Sequence, residues 1–153
     1  MKANDSLTHQ PKTWTTQAVL PQHRLDYWVG AICEAFLEMD CTSKADSFEG
    51  RLTHLDVGQI SFNQVVSSSS DVFRTKSAIA RSDDHPFYLI THLSSDWNVR
   101  QGGQSVHLRP GDAVLVDAAE RYELHFHKAV NVMSIQLPRS WIGRWLAQTS
   151  SIA

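Results

Sequence analysis

The stretch that decides the fold is Trp97-Asn98-Val99-Arg100-Gln101-Gly102-Gly103-Gln104-Ser105-Val106-His107-Leu108-Arg109-Pro110-Gly111-Asp112-Ala113-Val114-Leu115-Val116-Asp117. It reads as three short strands, 97–100, 105–108 and Ala113–Asp117, separated by two different turns. Gln101-Gly102-Gly103-Gln104 offers two adjacent residues tolerant of positive φ, as a tight hairpin demands. Arg109-Pro110-Gly111-Asp112 sets Pro and then Gly where a type II turn wants them. Working outward, similar alternating or β-branched runs occupy 48–57, 59–66, 72–75 and 87–94 on one side. On the other side lie 122–127 and Val130–Leu137. Many short strands at regular spacing predict an antiparallel sandwich or barrel, not a parallel sheet.

Helices flank this β region. Pro21 suits a first helical turn, where a missing N–H costs nothing. Leu25, Trp28, Val29, Ile32 and Phe36 then repeat on one helical face, which predicts a helix to about Met39. Residues 77–81 read as one helical turn between strands, and 67–70 as a loop. Past Pro138, the spacing of Trp141, Ile142, Trp145 and Leu146 starts another helix. Residues 1–20 are polar and unpatterned, so they read as a mobile arm ahead of one domain spanning 21–153.

Composition narrows the function. The chain has 153 residues, 42% hydrophobic and 20% charged, enough for one core without staples. No apolar run reaches the roughly 18 residues of a membrane helix, and no signal-peptide core follows Met1. A cytoplasmic protein is the expectation. The 14 Lys and Arg residues are scattered, no two are adjacent, and the formal charge is −2. Nucleic-acid binding by this segment is not expected, since it needs clustered cations. Cys33 and Cys41 lack metal-finger spacing and read as reduced thiols.

Catalytic constellations are not assembled. His125-Phe126-His127 is the one His-x-His pair, a feasible pair of ligands on one strand face. However, Tyr122, Leu124 and Phe126 claim the inward side of that strand, so Glu123, His125 and His127 are expected in solvent. No nucleophile elbow, Walker loop or dinucleotide glycine pattern occurs. No metal or cofactor is expected. Arg74, Asp112 and Asp117 are polar residues in apolar context and read as structural anchors. Arg74 in particular is expected to pair with Asp112 or Asp117, because a buried unpaired cation is costly.

The ordered set Phe48-x-Gly50, Gly58, Arg74-Thr75, Gly103, Leu108-Arg109-Pro110-Gly111-Asp112, Leu115, Asp117, Tyr122 and Leu137-Pro138-Arg139 resembles a known family. It is similar to the N-terminal, cupin-like binding domain of arabinose-regulator (AraC) family transcription regulators. The likeness is greatest to the branch that includes the activator of tyramine and phenylethylamine catabolism. Asp96 and Arg121 depart from that pattern, standing where the family often has Gly and Pro. The resemblance implies a mainly β, cupin-like double-stranded β-helix that senses a small-molecule effector and is not an enzyme. It further implies dimerisation outside the barrel, and DNA contact through a helix-turn-helix part that this chain lacks, as a truncated or excised sensory domain would. The family's effector-contacting strands correspond to the stretches around 122–126 and 131–135. Tyr88, His92, Trp97, Tyr122 and Met133 are the expected ligand contacts, and their character suits an aromatic or hydrophobic effector. Trp14 could hold the arm over the pocket mouth. The competing readings are a metal-dependent cupin dioxygenase or isomerase using His125 and His127, and a stand-alone sugar- or lipid-binding cupin.

Overall fold

The computed structural model describes residues 10–149. Residues 1–9 of the expected arm lie outside the described residues. Two antiparallel sheets form from eleven strands in the described chain. The first sheet holds β1 (Lys12–Thr15), β3 (Gly50–Val57), β4 (Ile60–Ser67), β11 (Val130–Leu137), β6 (Phe87–His92) and β9 (Ala113–Asp117), in that spatial order. The second runs β2 (Asp40–Thr42), β5 (Ser70–Arg74), β10 (Tyr122–Phe126), β7 (Trp97–Gln101) and β8 (Gln104–Leu108). The nine expected strands are all present, and the expected antiparallel sandwich is what forms.

The turns do what their residues require. Gly102 and Gly103 take φ of 61° and 74°, and β7 pairs directly with β8 across them. Gly111 takes φ of 92°, while the Asp112 N–H donates to the Arg109 carbonyl at 3.0 Å. That is the type II turn expected from Pro-Gly. Ser68 and Ser69 are a loop between β4 and β5, carrying the chain from one sheet to the other.

Helix α1 (Arg24–Ala35) follows a 3-10 turn at Pro21–His23 and buries Trp28, Ala31, Ile32 and Ala35. It stops four residues before the expected end. Met39 and Cys41 are buried while Asp40 and Thr42 are exposed, so a period of two takes over and the chain joins β2. Helices α2 (Lys76–Ala80) and α3 (Arg139–Thr149) stand close to their expected places.

The larger difference lies in the expected arm. Lys12–Thr15 is the edge strand β1, in register with Arg51–His54 of β3. Trp14 is 8% exposed; its Nε1 donates to Glu34 of α1 at 3.1 Å and its ring meets His54 edge-on. Trp14 therefore fastens β1 to α1 and β3 and does not lie over an interior pocket.

Candidate functional site

Where the two sheets face each other, alternate residues of each strand point inward. Val65 and Ser67 come from β4, Tyr88 and Ile90 from β6, and Val130, Val132 and Ser134 from β11. Ser70 and Val72 come from β5, and Tyr122, Leu124 and Phe126 from β10. Trp28, Ile32 and Phe36 of the α1 segment, with Met39, close the remaining side. Together they wall a largely apolar interior cavity of about 60 Å³. Three larger depressions, near 490, 420 and 360 Å³, are open hollows of the surface. Desolvation favours a small apolar ligand only where water is excluded, so the interior cavity is the candidate site.

Its polar groups are few. Tyr122 is 3% exposed, and its hydroxyl donates to the Met39 thioether at 3.0 Å. Tyr88 donates to Gln136 Oε1 at 3.1 Å and carries Phe36 edge-on against its ring. Burial drives both phenols above their ordinary range, so both remain protonated donors. Ser134 Oγ is buried with no hydrogen-bond partner.

The expected ligand contacts divide. Tyr88 and Tyr122 line the cavity. His92 and Trp97 are fully buried but pack beyond it, against Phe126: Trp97 stacks on that ring at 5.0 Å and His92 approaches at 6.3 Å. His92 Nδ1 accepts from the N–H groups of Ser94 and Ser95, both at 3.1 Å, which fixes its proton on Nε2. Met133 corrects the expectation: Val132 and Ser134 take the inward positions of β11, so Met133 faces away from the cavity. A one-residue phase decides this, and both phases of Val-Met-Ser-Ile read as strand. Sequence reasoning missed the contribution of α1 to the site; its apolar stripe was legible, but a stripe does not say which cavity it closes.

Arg74 also departs from expectation. It is 1% exposed yet meets no carboxylate. Nε donates to the Ala118 carbonyl at 3.2 Å, and Nη1 to the Glu38 carbonyl at 2.8 Å and to Ser82 Oγ at 3.2 Å. Asp112 instead braces its own turn, accepting from the Arg109 N–H at 2.9 Å. Asp117 is taken by Arg139 of α3 and by the Ala119 N–H.

His125 lies on the outer face of β10, and His127 follows just past the end of that strand. His125 sits between Asp71, at 2.7 Å from Nδ1, and Glu123, at 2.9 Å from Nε2. His127 Nε2 meets the Asn98 amide, whose oxygen meets His107 Nδ1, and His107 Nε2 reaches Asp96. Among the described residues, no three His, Cys, Asp or Glu side chains converge as a metal site would need.

A family model described as an AraC-binding-like domain matches residues 28–153. An uncharacterised protein in the nit 5' region of Bacillus sp. (strain OxB-1) is 30% identical over 126 residues, which are 82% of this chain and 49% of that protein. The crystal structure of the AraC-like transcriptional activator CuxR overlays with a TM-score of 0.77 at 14% identity. The overlay covers 90% of this chain and 51% of that one. A cupin superfamily protein of Desulfitobacterium hafniense overlays 63% of this chain and 83% of its own, with a TM-score of 0.46 and 12% identity. The chain spans about half the length of the Bacillus relative and of the activator.

Proposed function

The chain belongs to the AraC-binding-like domain family, and from that premise we propose that it is the effector-sensing part of a transcription regulator. The cavity enclosed by α1 and the two sheets is the effector site. The observation that carries this is an apolar hollow walled by Trp28, Phe36, Tyr88, Tyr122 and Phe126 with few polar groups. Such a wall suits a small aromatic or hydrophobic effector. Signalling, not turnover, is the output. Dimerisation belongs to the outer surface; α3 presents Trp141 and Trp145, 48% and 68% exposed, as a face for a second copy. DNA contact belongs to the half of the relatives that this chain does not span.

The test is a thermal-shift screen of one-ring aromatic and branched aliphatic compounds, repeated on Ile90→Phe. Ile90 is 6% exposed and lines the cavity, so the larger ring fills it. Hits should raise Tm saturably in the parent and lose that effect in Ile90→Phe, whose fold is checked by circular dichroism. If Ile90→Phe retains full binding, the effector sits elsewhere. If no compound shifts the parent, the cavity is only an imperfection of the core.

A further inference from the structure

The interior has unequal hydrogen-bonding capacity. Each buried side-chain atom left without a partner on the described strands is a donor or can act as one: Asn63 Nδ2, Arg74 Nη2, His92 Nε2, Trp97 Nε1 and Ser134 Oγ. Unpaired buried donors cost roughly 1–3 kcal/mol each, more when charged, and native proteins keep few of them. Arg74 is the most telling. It carries a full charge at 1% exposure, and its three bonds go to two carbonyls and a hydroxyl. No described carboxylate forms an ion pair with it. A buried cation without a counter-charge is strongly disfavoured unless something else supplies one.

That charge stands beside the cavity without lining it. Arg74 and Tyr122 are register partners across the β5–β10 pair, both on inward positions. The guanidinium stabilises negative charge at the phenols of Tyr88 and Tyr122, against the opposing effect of burial, so its field reaches two cavity walls. The Tyr122 hydroxyl spends its proton on a thioether, a weak acceptor that a better one would displace. Ser134 Oγ, on the cavity wall, has no partner. At the opposite end of β10, Leu124 and Phe126 with Val130 and Val132 offer hydrocarbon, and the two serines there are already engaged: Ser67 donates to the Ser68 carbonyl at 3.1 Å and Ser70 hydrogen-bonds the Cys41 thiol.

We propose that the effector is a small carboxylic acid with one apolar ring or branch, its carboxylate at the Tyr122–Ser134 end under the field of Arg74. Its body lies along Leu124 and Val132 toward Phe126. Tyr122 and Ser134 donate to the carboxylate, and Arg74, behind Tyr122, supplies the counter-charge without lining the wall. An amine would bring a second cation toward a buried guanidinium. A sugar would need more polar partners than this wall holds. The inference rests on the cavity being the effector site.

The test uses three near-isosteric probes, benzoate, benzamide and benzylamine, titrated calorimetrically into the chain at neutral pH. The acid should bind at least about tenfold tighter than the amide, as expected for charge-assisted bonds, and the amine should give no heat. In Tyr122→Phe, and separately in Ser134→Ala as a milder change, the acid's advantage should fall to about threefold or less. An amide or amine that matches the acid overturns the carboxylate assignment while leaving the cavity reading intact. An acid preference that survives both variants overturns the placement of the carboxylate. If none of the three probes binds while the wider screen still yields hits lost in Ile90→Phe, the carboxylate assignment falls and the cavity reading stands.

Discussion

Gly50 opens β3 where the indole of Trp28 crosses it, and no side chain fits between them. A Cβ at that position would meet Cζ3 of Trp28 at 2.7 Å and Cε3 at 2.8 Å. The indole has little room to retreat, being 1% exposed and leaning on Phe48 with ring centroids 5.5 Å apart. The sequence marks Gly50 only as a signpost beside Phe48; the physical reason is close approach, not a special backbone angle. Gly50→Ala should therefore lower stability by about 1–3 kcal/mol, the usual cost of overpacking. The measurement is urea unfolding, with a lower midpoint and an unchanged slope. A midpoint equal to the parent's would show that the indole yields freely and that α1 is loosely seated. Arg74 teaches the complementary lesson at this scale. Its burial was legible from the apolar run it closes. Its partners were not, because carbonyl oxygens leave no mark in the sequence.

Strand β10 shows how one element serves two surfaces. Its inward residues wall the cavity, while on the outer face His125 stands opposite Asp71 in the β5 register. Burial pushes the His125 pKa down, but hydrogen bonds to Asp71 and Glu123 and their charges outweigh it, so the net shift is upward. Arg100, 3.8 Å from Glu123, is the other charge facing this cluster. A raised folded-state pKa means that the native state binds the proton more tightly than the unfolded chain. The stabilisation is fully present below the ordinary histidine value and disappears as pH rises through the folded-state pKa. The expected outcome is that His125→Gln loses stability relative to the parent in mildly acidic buffer, and that the difference closes toward alkaline pH. Urea midpoints across that range measure it; a gap that widens with pH would contradict the sign. Elements such as β10 were readable because alternation and glycine turns are local signals. β1 was not, since Lys12-Thr13-Trp14-Thr15 buries only Trp14 and Thr15 in part, and an edge strand needs little hydrophobic patterning. β2 lay hidden where helical spacing gave way to alternation at Met39 and Cys41.

For the whole molecule, the size of the cavity sets the mechanism. At about 60 Å³ it is smaller than the roughly 150 Å³ that holds a benzene ring in an engineered core. The ring-bearing effector proposed above would have to enlarge it, and the walls do not resist equally. Both sheets are tied by continuous backbone hydrogen bonding; β11, for example, is paired with both β4 and β6. Helix α1 is held by side chains: Trp28 against Gly50, Trp14 and Lys12 on Glu34, and Arg24 on Ser47. Packed side chains can part without breaking a ladder, so α1 is the wall expected to move. The contacts at Glu34 would pass that motion to β1 at the edge of the first sheet. A ligand shifts such an equilibrium only by binding one arrangement better than the other. The small cavity supplies that difference, because a ring needs it enlarged. Hydrogen exchange with and without bound benzoate should show its largest change in amides of Arg24–Ala35 and Lys12–Thr15, with β4, β6 and β11 little affected. Glu34→Gln should weaken the response at β1 while leaving that at α1, since Glu34 is the joint between them. A change confined to the strands, with α1 unaltered, would mean that the ring is admitted by side-chain rotation within the sandwich and that β1 takes no part in signalling.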